Sequence, residues 1–185
     1  MRALTLETIA EVIGGRVASG DPATLVDAVT VDSRRPGGRR PMFLALRGRH
    51  ADGHQYLAAA RASGCVAAVV AEGATVPEGA PALVAVPTLP GDEDPVLAVL
   101  TRLAAWWRGQ LRGIVVGITG SNGKTTVKTM LQAVLGPGRR TVSSPGSYNS
   151  RLGVALSLLG MDEAAEVCLV EAGVSAPGDM ASLAA

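Results

Sequence analysis

Two glycines, a lysine and two threonines stand together in Gly120-Ser121-Asn122-Gly123-Lys124-Thr125-Thr126, directly after the apolar run Gly113-Ile114-Val115-Val116-Gly117-Ile118-Thr119. A strand that feeds such a loop, with a helix after it, is the setting in which these residue types bind phosphate. The glycines let successive backbone N–H groups turn inward, and the positive end of the following helix adds to the field on a polyphosphate. Lys124 would meet the outer phosphates as a point charge, and the Thr125 hydroxyl would ligate Mg²⁺. The loop is a variant of GxxxxGK[ST], because Ile118 stands where the leading glycine would be and Gly117 lies one residue earlier. ATP binding by Gly120, Ser121, Asn122, Gly123, Lys124, Thr125 and Thr126 is the expectation.

A carboxylate joins this chemistry from further along the chain. Val167-Cys168-Leu169-Val170 reads as a buried strand and ends in Glu171. Ligands of an open α/β sheet bind outside the carboxyl ends of its strands, where Thr119-Gly120 and Glu171 would both emerge. Thr125 and Glu171 are therefore the expected Mg²⁺ pair. Other polar residues say less by themselves: Arg34 and Arg35 read as a solvated basic turn, and His50 and His54 as polar loop residues. His54 has no acid or histidine at metal-ligand spacing. Cys65 and Cys168 sit inside apolar runs without a CxxC pattern and read as buried thiols.

The elements that must hold these residues follow from periodicity. Leu6, Ile9, Ala10 and Ile13 have helical spacing and stop at Gly14-Gly15. Strands are expected at Leu25–Val31, Met42–Leu46, Cys65–Ala71 and Ala82–Val86, with a helix over Gln55–Ala62. Pro87 to Pro95 is rich in Pro, Gly and acids, and it ends with Asp94 at an N-cap and Pro95 at the first helical position. The division is placed there, giving domains 1–88 and 89–185. A helix from Pro95 to about Gln110 then leads into the apolar strand before the loop, which reads as a central parallel strand. Thr125–Leu135 reads as a helix, Arg140–Ser143 as a strand, Ser150–Leu159 as a helix and Glu166–Glu171 as a strand, with a last short helical pattern from Gly178. Adjacent Trp106 and Trp107 cannot both face inward from one helix.

Composition agrees with an α/β class. Aromatics are 3% of 185 residues while Gly number 23, so cores must be built from Ala, Val and Leu, as suits parallel strands under helices. With 17 Lys+Arg against 16 Asp+Glu there is no global field to attract nucleic acid or an acidic membrane surface. An acid, Glu7, precedes any apolar run long enough for a signal peptide, and no stretch could span a bilayer, so the reading is cytoplasmic. Protein partners are not legible.

Together these residues resemble the Mur ligases, the ATP-dependent amide-forming enzymes of peptidoglycan assembly. Thr119-Gly120-Ser121-Asn122-Gly123-Lys124-Thr125 matches the family's TG-[ST]-NGKT loop. Val31-Asp32-Ser33-Arg34 is similar to the DSR motif of its UDP-binding domain, Met42 to Gly48 to its FVAL-x-G strand, and Asp52-Gly53-His54 to its DGH. Three further features resemble the members that join D-alanyl-D-alanine to UDP-N-acetylmuramoyl-tripeptide: Thr125-Thr126-Val127-Lys128, the segment Asn149 to Leu159, and Glu171 to Met180. Ser147-Tyr148-Asn149-Ser150 keeps only one asparagine of the usual N-x-N-N.

The resemblance implies a small α/β UDP-binding domain followed by the first part of a P-loop-type parallel-sheet ATPase domain, so that the chain is the amino-terminal portion of a longer ligase. It implies a tripeptide carboxylate that takes the γ-phosphoryl group of ATP, and an acyl phosphate that the amine of D-alanyl-D-alanine displaces. Lys124, Asn149 and Glu171 would be the catalytic residues. Ser33, Arg34, Arg47, Gly48, Asp52, Gly53 and His54 would receive the UDP end of the substrate. The alternatives are a Mur-type ligase adding the third residue, a non-catalytic nucleotide-binding module, and an unrelated P-loop ATPase or GTPase.

Overall fold

A computed structural model describes residues 1–48, 51–88, 94–174 and 180. By Cα packing the chain divides into two compact units, Arg2–Leu103 and Ala104–Ala185.

In the first unit, strand β1 (Leu4–Thr5) leads into helix α1 (Leu6–Ile13). Thr5 caps α1 by accepting the Thr8 N–H at 3.2 Å, the expected stripe Leu6, Ile9, Ala10 and Ile13 is buried, and Gly14 ends the helix. Five strands form the main sheet: β2 (Arg16–Ser19), β4 (Ala28–Thr30), β5 (Pro41–Leu44), β6 (Ala67–Ala71) and β7 (Ala82–Val86). Their order is β2-β7-β6-β5-β4, with β2 antiparallel to β7 and all other pairs parallel. β5 and β6 are both fully buried; β6 is built of Ala and Val alone, as the composition implies, while β5 brings Met42, Phe43 and Leu44 into the core. A 3₁₀ turn (Gly53–Tyr56) and α2 (Leu57–Ala62) occupy the expected helix, and Leu57 and Ala60 pack into a core with Phe43 and Val70.

Two features differ from the sequence reading. The single strand expected over Leu25–Val31 is two, because β3 (Leu25–Val26) pairs antiparallel with β1 while β4 joins the main sheet. Asp27 makes the break: its carboxylate accepts the Arg39 and Arg40 N–H groups and the Arg40 guanidinium, and its own N–H donates to the Arg40 carbonyl. β2 carries no alternation of apolar and polar residues, consistent with its mostly exposed edge position.

Helix α3 (Pro95–Gln110) starts where expected, with Asp94 Oδ1 accepting the Val96 N–H at 2.8 Å. Residues 89–93 lie outside the described ones, so the expected linker is only partly in view, and the units divide within α3 at 103/104. The first turns of α3 are tied to the first unit by two bonds. Asp94 Oδ2 accepts the Arg47 N–H at 2.7 Å, and Arg102 donates to the Ile13 carbonyl at 2.6 Å.

The second unit alternates β8 (Ile114–Ile118), α4 (Lys124–Leu135), β9 (Thr141–Ser143), α5 (Arg151–Leu159) and β10 (Val167–Glu171), the expected β-α-β-α-β order. The three strands are parallel in the order β8-β10-β9. The apolar run of β8 reads as a central strand, whereas β10 holds that place among the described residues, and Ile114 on β8 is 65% exposed. Among the described residues its apolar sequence has a neighbouring strand on one edge only. Leu131 and Leu135 of α4 pack on Ile118, Val167 and Leu169 of the sheet. Trp107 is fully buried and its indole N–H donates to the Met161 carbonyl at 3.2 Å, while Trp106 is only half-buried. The helical pattern expected from Gly178 lies outside the described residues except at Met180. Among the described residues no helix is long and apolar enough to cross a membrane.

Candidate functional site

The parallel register of β8 and β10 sets Ile118 beside Glu171, so both strands end at the same edge. The loop Gly120–Thr126 leaves that edge and turns into α4. Gly123 has φ +76°, a backbone conformation that side chains resist, and it is the N-cap of α4 without any side-chain cap. Helices α1, α3 and α5 instead begin on Thr5, Asp94 and Ser150, whose side chains accept the first free N–H groups. α2 also lacks a side-chain cap, but it continues a 3₁₀ turn, whereas α4 follows a loop whose glycine offers no side-chain oxygen to the first N–H groups, a setting open to an anion. Lys124 arches over the loop, its Nζ donating to the Gly120 carbonyl at 2.8 Å.

Glu171 gathers the rest of the site. Its Oε2 accepts the Thr125 hydroxyl at 2.8 Å and lies 3.3 Å from the Lys128 ammonium, and its Oε1 accepts the Asn149 amide at 2.9 Å. The carboxylate is 1% exposed. Burial pushes its pKa up, but the bonds from Asn149, Thr125 and Lys128 and the Lys128 charge outweigh burial and hold it below the ordinary carboxyl value. An ionised carboxylate beside a threonine hydroxyl is a hard-oxygen pair, and with phosphate oxygens and water it fits Mg²⁺, which is seldom caged by protein alone. Asn149 is itself fixed: its carbonyl accepts the Gly173 N–H at 2.7 Å, and a Cβ on residue 173 would stand 3.0 Å from its side chain. Ser150, where the N-x-N-N pattern has asparagine, caps α5 by accepting the Gly153 N–H at 3.2 Å. Serine serves a cap as well as asparagine does.

Lys128 escaped the sequence reading as a site residue. It is 4% exposed and also donates to Ser144 O at 2.9 Å and to Gly146 O. The available signal was its place three residues after Thr125, on the same helical stripe as Leu131 and Leu135, where a lysine is out of keeping.

The residues expected at the UDP end fall into two hollows of the first unit. Ser33, Arg34, Gly48 and Gly53 line a cleft of about 580 Å³ with Phe43 and Tyr56. Arg47, Asp52 and His54 line a second of about 420 Å³ with Gln55 and Thr75. Tyr56, 45% exposed, adds an aromatic face that the sequence did not single out. In the cleft, Arg34 forms a two-toothed ion pair with Asp32 at 2.9 and 3.0 Å. Arg34, first by its side-chain bond, lowers the exposed Asp32 carboxyl to about 2.

His54 differs from the polar loop residue read from sequence, and it does have an acidic partner. Its ring is 5% exposed: Nε2 accepts the Ala71 N–H at 3.1 Å, which leaves the proton on Nδ1 to donate to Asp52 Oδ1 at 2.6 Å. The His54 backbone and ring bonds hold the Asp52 carboxyl below its ordinary value. Arg47 lies 3.4 Å from the other Asp52 oxygen, and Gly53 donates to the Leu46 carbonyl at 2.8 Å. His50 lies outside the described residues. Cys65 and Cys168 are buried as expected, and desolvation pushes the Cys65 thiol up to about 11.

Known proteins resemble this chain over nearly its whole length. Residues 118–185 match the Mur ligase middle domain. The UDP-N-acetylmuramoyl-tripeptide--D-alanyl-D-alanine ligase of Mycobacterium bovis is 36% identical over 204 residues, covering 98% of this chain and 39% of that protein. A crystal structure of MurF from Acinetobacter baumannii superposes with a TM-score of 0.81 at 27% identity, over 99% of this chain and 38% of that one. MurF ligase from Thermotoga maritima in complex with ADP gives 0.66 at 31% identity, over 85% and 34%. The chain thus spans about two fifths of the length of the curated relative.

Proposed function

This chain belongs to the Mur ligase family, and from that premise we propose that it supplies the ATP-binding loop and the UDP-substrate cleft of a ligase that adds D-alanyl-D-alanine to UDP-N-acetylmuramoyl-tripeptide. The observation that carries the reading is the meeting of Thr125 and Glu171, 46 positions apart, at 2.8 Å beside the uncapped start of α4. A loop that merely turned the chain would have no use for a buried, ionised carboxylate there.

Residues 1–88 form the substrate-binding domain in this reading and residues 89–185 the nucleotide-binding part. The tripeptide carboxylate attacks the γ-phosphorus of ATP, ADP leaves, and the resulting acyl phosphate is displaced by the amine of D-alanyl-D-alanine with release of phosphate. Lys124 and the N–H groups of Gly120, Ser121, Asn122, Gly123 and Lys124 stabilise charge on the moving phosphoryl group. The Thr126 amide extends the same cradle. Thr125 and Glu171 would hold Mg²⁺, which when bound would neutralise charge on the phosphate oxygens. Asn149 keeps the Glu171 carboxylate turned toward Thr125. In the cleft, Arg34 offers its guanidinium to a diphosphate and Ser33 a hydroxyl, while Gly48 and Gly53 let the substrate approach backbone. Arg47, Asp52 and His54 hold the turn that presents them. Use of ATP and a UDP-linked acceptor fits a cytoplasmic setting.

The test is calorimetric titration of ADP into the chain and its Lys124→Ala variant. We expect the variant to lose at least about tenfold in affinity with an unchanged unfolding midpoint, since among the described residues the Lys124 side chain bonds to its own loop. Equal affinity in the two proteins refutes the loop assignment.

A further inference from the structure

Lys128 joins three parts of the second unit at one atom. Its Nζ, carried by α4, meets Ser144 O at 2.9 Å, Ser144 Oγ at 3.4 Å and Gly146 O in the segment after β9, and Glu171 Oε2 at 3.3 Å at the end of β10. An ammonium this far from water is tolerated only where oxygens take its N–H groups and an opposite charge balances it. Ser144 is bound to β10 in its own right, its N–H donating to Leu169 O at 2.8 Å and its Oγ accepting the Glu171 N–H at 3.2 Å. The segment that Lys128 grips runs within three residues from Gly146 to Asn149, the other partner of Glu171.

Attachment of helix to sheet does not require this arrangement. Leu131 and Leu135, on the same stripe of α4, do that work with apolar contacts to Ile118, Val167 and Leu169. The charge is placed instead at the end of the stripe nearest the loop, where it bears on one oxygen of one carboxylate.

We propose that Lys128 is a positioning residue for the metal-nucleotide site: it fixes the rotation of the Glu171 carboxylate and the segment that carries Asn149. Glu171 Oε2 has lone pairs on two sides. Lys128 and Thr125 both address this one oxygen, so with Lys128 holding it in place the lone pair that Thr125 occupies would serve Mg²⁺ if the threonine hydroxyl yielded it. The inference rests on the proposed nucleotide site, and it adds a residue that touches neither nucleotide nor metal.

The experiment is ADP titration by calorimetry into the wild-type chain, Lys128→Met and Lys128→Arg, each with Mg²⁺ and with EDTA. In EDTA all three bind within about twofold of one another, because the loop is untouched. With Mg²⁺ the wild type tightens, and Lys128→Met loses at least about tenfold of that gain. Lys128→Arg keeps the charge, but its planar fork cannot meet Ser144 O, Gly146 O and Glu171 together, so it loses about fivefold. The arginine variant decides the matter if circular dichroism shows the methionine variant unfolded. Wild-type Mg²⁺ tightening in either folded variant overturns the inference and leaves the nucleotide site standing. A wild-type chain that binds no ADP, or binds it without regard to Mg²⁺, overturns the nucleotide site and this inference with it.

Discussion

The two candidate sites treat charge in opposite ways. At the edge of the β8-β10-β9 sheet, Glu171 and Lys128 are 1% and 4% exposed and bonded on every side to named atoms. In the cleft of the first unit, Asp32 and Arg34 pair on the surface, with the Arg34 side chain 85% exposed. A buried pair has fixed geometry but is costly to break, whereas a solvated pair contributes little to stability and can be reopened by a ligand. In the proposed function, the difference suits a site that would hold a phosphoryl group in register and a cleft that would admit and release a large substrate.

The severest way to break this contrast is Glu171→Ala, which leaves the Lys128 ammonium buried without its counter-charge. We expect a loss of about 3–5 kcal/mol in urea unfolding, together with loss of Mg²⁺-dependent nucleotide binding. An unfolding midpoint like that of the wild type would show the pair to be no more costly to break than a surface one. The cleft offers the opposite test. Ser33→Ala with Arg34→Ala should leave the unfolding midpoint and ADP affinity unchanged while UDP-N-acetylmuramoyl-tripeptide binding weakens by about tenfold or more. Equal loss of both ligands would end the division of labour between the units.

The smallest effect is the titration of Asp32. Its folded value, about 2, lies below the ordinary aspartate value near 4. The sign follows: whatever this pair adds to stability is present above about pH 4 and disappears as pH falls through about 2. In Arg34→Ala the carboxyl, followed by NMR, should titrate near the ordinary value. A titration that stays near 2 would mean that something other than Arg34 holds the charge.

Much of this was legible in the sequence, for reasons local to it. The stripe of α1, the Asp94 cap of α3, the loop between β8 and α4, and the order of elements in the second unit all depend on neighbours within one or two turns. The break at Asp27 was not legible, because the groups that hold it come from Arg39 and Arg40. Nor was the place of β8 beside β10 at the edge of the described strands, since an apolar run does not state how many neighbours it has.

By itself the sequence determined which residues had the chemistry to bind phosphate and metal, and that Thr125 and Glu171 would leave one sheet edge. Residue type and strand order suffice for that. Only the tertiary structure decided that Lys128 faces Glu171 rather than water, and that His54 spends both ring nitrogens on the turn. It also decided that the residues expected to receive UDP divide between two hollows. These outcomes depend on which oxygens a folded backbone brings within three ångströms of a side chain, and residue spacing along the chain does not encode that distance.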